Sequence, residues 1–153
     1  MFKKTADLLG NTDLAIVGTP KIIGSVAVNS DSEFPGLKNN GMCEFRVEIR
    51  SSASPYTVDT EAFDFDTNTV FTITDIVSSL NSQTSVLVFD SDEGCLSIES
   101  SYSGHKAYIK ILTKTTGAYI DPLPLFGLFA DPHPSSISQA KDISPTPVKP
   151  ATQ

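Results

Sequence analysis

Eight residues in a row, Cys43-Glu44-Phe45-Arg46-Val47-Glu48-Ile49-Arg50, alternate apolar and charged. A strand repeats its facing every two residues and a helix every 3.6 or so, so this run buries all its apolar side chains only as a strand. The rest of the chain must give that strand neighbours, and a second layer to cover Cys43, Phe45, Val47 and Ile49. Its other face, Glu44, Arg46, Glu48 and Arg50, is then wet and free to meet a complementary row on a neighbouring subunit.

The neighbours are legible downstream. Ser51–Pro55 breaks the run, Tyr56–Asp59 reads as a weak strand, and Glu61–Asp66 as another in which Phe63 and Phe65 alternate with Asp64 and Asp66. A short helix follows. Thr72 or Thr74 caps it, and Asp75 places a carboxylate in the first turn, where the dipole favours it. Ile73, Ile76, Val77 and Leu80 form one apolar face, and Asn81 and Ser82 end it. About two turns long, it persists only by packing on the sheet. Val86–Asp90 and Cys95–Ser100 read as strands joined by a turn at Ser91-Asp92-Glu93-Gly94, with the glycine placed for positive φ. Tyr102-Ser103-Gly104-His105 is a loop, and Ala107–Leu112 is the last strand.

The 153 residues make one domain's worth of chain, and a hydrophobic content of 39% suits a modest core with non-core segments attached. Three zones emerge. Residues 1–40 form an irregular N-terminal arm with a possible strand at Ile22–Val28, and residues 41–120 form an α+β core. Residues 121–153 hold seven of the ten prolines and read as an extended C-terminal arm, since proline removes ladder donors and fixes φ. Within that arm Leu123, Leu125, Phe126, Leu128 and Phe129 cluster, which points to an interface with an adjacent subunit; the alternative is a segment covering its own sheet. Ser135–Gln153 is polar, with the composition of disorder. The expected fold is α+β: a small, mainly antiparallel sheet with one short helix, flanked by extended arms.

Chemistry is sparse. The net charge of −7 leaves no basic footprint for nucleic acid and suits an anionic membrane poorly. No apolar run approaches a membrane span, and Met1-Phe2-Lys3-Lys4 leads to Asp7 and Asp13 rather than to a signal-peptide hydrophobic region. Cys43 and Cys95 fall on different strand faces and read as free thiols. Asp90-Ser91-Asp92-Glu93-Gly94 faintly resembles a calcium loop but lacks most of the twelve or so positions such a loop needs, and a solvated turn is the simpler reading. His105 and His133 have no cysteine or histidine at ligand spacing and no nucleophile signature nearby. No phosphate-cradling glycine loop is present. The expectation is no enzyme, no metal and no cofactor.

One longer pattern remains: Phe63-Asp64-Phe65, then Phe71-Thr72-Ile73-Thr74-Asp75-Ile76-Val77-Ser78-Ser79-Leu80-Asn81, then Asp92-Glu93-Gly94-Cys95-Leu96-Ser97-Ile98-Glu99-Ser100, Gly104 and Tyr108-Ile109-Lys110-Ile111. It resembles the strand–helix–hairpin motif of flagellin and hook-associated proteins and of tail-sheath and other virion proteins of tailed bacteriophages. The long terminal helices of flagellin have no counterpart, which leaves phage virion proteins as the better relatives. The resemblance implies a structural subunit at a neck, tail or head-associated position. Such a subunit would be made in the host cytoplasm and would assemble in rings or layers with copies of itself and other virion proteins through arms and edge strands. An adhesin or fibre module that binds glycans through Tyr56, Tyr102, Tyr108 and Tyr119 is the alternative, and a small hydrolase using His105 ranks last.

Overall fold

The computed structural model describes residues 16–29, 32–52, 55–104, 106–140 and 142–143. Its elements run β1 (Ile16–Val17), β2 (Lys21–Ile23), β3 (Met42–Arg50), β4 (Val58–Asp66), α1 (Ile73–Asn81), β5 (Leu87–Asp92), β6 (Cys95–Ser100), β7 (Tyr108–Leu112), α2 (Leu123–Phe126), β8 (Ile137–Gln139) and β9 (Asp142–Ile143). The strands form antiparallel sheets in the orders β4-β3-β7-β8 and β2-β6-β5, with β1 and β9 paired as a separate ribbon. The fold is α+β and mainly antiparallel, as the periodicities anticipate.

The two larger sheets stack face to face. Phe89 on β5 meets Phe63 edge-on at 5.0 Å and Phe45 at 6.3 Å, while Phe45 and Phe63 face each other at 5.6 Å across the β3–β4 pair. The expected inward set of β3, Cys43, Phe45, Val47 and Ile49, is buried throughout. Thr72 caps α1 by accepting from the Asp75 N–H, and Ile73, Ile76 and Leu80 turn its apolar face to the core. The β5–β6 turn closes on Glu93 and Gly94, both at positive φ. Tyr56–Asp59 and Glu61–Asp66 merge into one nine-residue strand, β4, because every residue from Val58 to Asp66 pairs with β3.

The described part of the proline-rich zone departs from the expected arm. Residues 123–126 make a helical turn, with Pro122 at the cap and Pro124 in the first turn, where a missing N–H costs nothing. Gly127, at φ 71°, ends it. Phe126 then packs against Phe34 at 5.0 Å and Phe65 at 6.3 Å. The chain returns as β8, which adds an edge strand beside β7. Ile137–Gln139, within the polar stretch whose composition is that of disorder, are therefore placed on the sheet.

The possible strand at Ile22–Val28 is a strand only to Ile23. Beyond it the chain passes between the β5–β6 turn and the end of α2: Gly24 and Val28 donate to the carbonyls of Leu96 and Gly94, and Ser25 and Val26 to those of Gly127 and Phe126. A Cβ at Gly24 would run into the Phe126 carbonyl oxygen, and one at Gly94 into that of Val28. Only glycine permits these approaches.

Candidate functional site: the outer face of the four-stranded sheet

Register fixes what this face presents. Antiparallel partners share a face, so Val58, Arg50 and Tyr108 form one row across the sheet and Thr60, Glu48, Lys110 and Ile137 the next. Arg46 lies between Ala62 and Leu112, and Glu44 lies opposite Asp64. Of the expected wet row, Arg46, Glu48 and Arg50 are half-buried on this face.

Glu44 is the exception and is buried. After β7 the chain bulges out through Thr113–Tyr119 before Ile120 returns beside Met42–Glu44, donating to the Met42 carbonyl and accepting from the Glu44 N–H. That bulge folds over Glu44, whose Oε1 accepts from the N–H groups of Thr115 at 2.9 Å and Thr116 at 2.8 Å. The Thr116 N–H, more than any other group, holds the Glu44 carboxyl below the usual glutamate range; burial opposes it, and Thr115 and Arg46 assist. Arg46 Nε donates to the Thr113 carbonyl at 2.8 Å. Alternation shows that Glu44 leaves the core on the outer face, but no local pattern announces a loop arriving from seventy or so residues downstream.

The far end of the face is aromatic and cationic. Arg50 Cζ lies 4.7 Å from the centre of the Tyr56 ring, and the Arg50 Nε is buried without a partner among the described residues. Tyr108 donates its hydroxyl to Glu48 Oε2 at 2.5 Å, and Lys110 Nζ stands 3.8 Å from the same oxygen. Burial, then the Glu48 carboxylate, pushes the Tyr108 hydroxyl up to about 12. Around these groups Tyr56, Val58 and Ile137 remain well exposed. Tyr108 and Lys110 carry the same period-two signal as β3 and were readable as outward; Ile137 was hidden in a segment read as disordered.

The apolar cluster of the proline-rich zone is divided. Leu123, Phe126 and Leu128 are buried in their own chain's core, Leu125 is partly buried against it, and Phe129 is exposed and stacks on His133 at 4.0 Å. Burial of the first three follows from the intrachain alternative, that this segment covers its own sheets. Tyr56 and Tyr108 flank Arg50, whereas Tyr102 packs on the core. The acidic turn does not gather: Asp92 pairs with Lys21 at 3.2 Å and Asp90 accepts from the Ser91 N–H. Cys43 and Cys95 are both free. His105 lies outside the described residues. Among the described residues, no three His, Cys, Asp or Glu side chains stand close enough to hold a metal, and no helix is long and apolar enough to cross a membrane.

Compared with protein-family models, with curated proteins and with solved structures, the chain matches none.

Proposed function

We propose that this chain is a structural assembly subunit that joins copies of itself, and other chains, into a ring or layer. The outer face of the four-stranded sheet carries the reading. Arginine and tyrosine dominate the centres of protein interfaces, because rigid, amphipathic side chains bury large area at small entropic cost. Here Arg50, Tyr56 and Tyr108 lie together, with exposed Val58 and Ile137 alongside and Glu48 and Lys110 as polar partners. The resemblance of the β4–α1–β5–β6–β7 segment to virion modules supports a tailed-phage virion as the setting, at a neck, tail or head-associated position, and assembly rather than turnover as the mechanism. Leu123, Phe126 and Leu128, engaged in their own core, leave this proposal; Phe129 stays in it.

Light scattering across a concentration series tests the reading. The full chain is expected to be a multimer, and Arg50→Glu to dissociate it while keeping the wild-type circular dichroism. A monomer at every concentration would sink self-assembly, and a glycan-array signal from that monomer would transfer the conclusion to a binding module.

A further inference from the structure

We infer that the N-terminal half of β4 is a docking edge for an extended segment of a partner protein that alternates basic and small apolar residues. The inference deepens the assembly reading and rests on it for the kind of partner, another structural chain.

The backbone of β4 sets the edge. Ser51 N–H donates to the Thr57 carbonyl and Thr67 N–H to the Gly41 carbonyl, so the odd-numbered positions of β4 point toward β3. The even-numbered ones point away. Gln83 occupies Asp64 on that outer side: its Nε2 donates to the Asp64 carbonyl at 2.8 Å and its Oε1 accepts from the Asp64 N–H at 3.2 Å. Nothing among the described residues does the same for Val58, Thr60 or Ala62.

The other sheet edges are covered or short. On β5, Leu87 donates to Thr84, Phe89 is bound through both backbone groups by Asn81, and Ser91 donates to Asp90. β2 and β8 are three residues each and face one another, with Lys21 N–H donating to Ser138 Oγ at 3.0 Å. A long unpaired edge is a template for another strand.

Side chains define the partner. Val58, Thr60 and Ala62 line the outer face beside the edge and are exposed. Asp59 and Glu61 line the other face, opposite Ile49 and Val47. Glu61 Oε1 is buried and has no hydrogen-bond partner among the described residues, a cost that an incoming ammonium or guanidinium offsets. A net charge of −7 draws the same kind of segment from a distance. A second copy fits less well: antiparallel β4-on-β4 pairing that aligns positions 58, 60 and 62 sets Asp59 and Glu61 carboxylate against carboxylate in each register.

The test is an amide-shift titration of the full chain with the capped peptide Thr-Val-Lys-Val-Lys-Val-Thr and its charge-reversed form Thr-Val-Glu-Val-Glu-Val-Thr. The lysine peptide is expected to saturate shifts at Val58, Thr60 and Ala62, and the glutamate form to bind at least about tenfold more weakly. Thr60→Pro removes one outward N–H, leaves the β3 ladder intact, and is expected to abolish the shifts. Glu61→Gln is expected to weaken the lysine peptide about tenfold. No saturable shift, equal affinity for both peptides, or binding that survives Thr60→Pro would overturn the inference. Light scattering without peptide reads the assembly proposal apart from it: a multimer that ignores the peptide refutes the edge alone, and a monomer that takes the peptide refutes self-assembly alone.

Discussion

Glu44 and Cys43 are adjacent on β3, point to opposite faces, and shift in opposite directions, because only Glu44 gains backbone donors that outweigh burial. The Glu44 carboxylate is held charged by backbone donors of the 113–119 bulge, so its folded-state pKa is lowered. Its stabilisation is fully present above the ordinary glutamate value of about 4.3 and is lost as pH falls through the lowered folded-state value. Glu44→Gln is therefore expected to lower the melting temperature at neutral pH and to flatten its decline below the ordinary glutamate range; chemical-denaturation midpoints between neutral and acid pH read this directly. For Cys43, burial first, then Asp121 and Asp66, pushes the thiol up to about 11. Thiolate is the reactive form, so alkylation of the native protein at mild alkaline pH is expected to label Cys95 and spare Cys43, as peptide mapping would show. That Cys43 faces the core was plain from the alternation. That Glu44 is buried was not, since its cover comes from a loop whose sequence, Thr113-Lys114-Thr115-Thr116-Gly117, reads as solvent-exposed.

At the scale of elements, α1 does more than cover the sheets. The residues at and just after its C-terminus act as substitute peptide groups: Asn81 binds both backbone groups of Phe89 on β5, at 2.9 and 2.8 Å, and Gln83 binds both of Asp64 on β4. The helix so joins the edge of one sheet to the edge of the other. Asn81→Ala leaves the Phe89 groups without their partner and is expected to cost about 1–3 kcal/mol. Gln83→Ala, at a more exposed site, is expected to cost less, about 0.5–1 kcal/mol. Urea unfolding with unchanged m-values checks both. The helix itself was legible to its cap and its apolar face. Asn81 was read as a helix stop, which it is; its second role spans a loop and a sheet edge, and no periodicity encodes it.

For the whole molecule, the proline-rich zone decides what counts as core. Proline content argued for an arm, because it removes donors that strands and helix interiors need. Pro122, Pro124, Pro132 and Pro134 fall where such donors are dispensable, at the starts of helical turns and in a loop, while Leu123, Phe126 and Leu128 reach the interior. The composition was read correctly and its consequence was not, since the apolar residues that make this zone part of the core are few. A chain ending at Thr116 is thus expected to show no cooperative thermal transition, and Phe126→Ala in the full chain to lose about 3–5 kcal/mol by calorimetry or denaturant unfolding.

The passage of Gly24–Val28 between the β5–β6 turn and the end of α2 also bears on how the protein is born. Half of the segment's backbone partners, the carbonyls of Phe126 and Gly127, leave the ribosome about a hundred residues after it. At about 5–20 residues per second, the interval is on the order of ten seconds. During it the nascent chain holds Phe34 and Phe65 without Phe126 to seal them, and native structure here closes only once Phe126 and Gly127 have emerged.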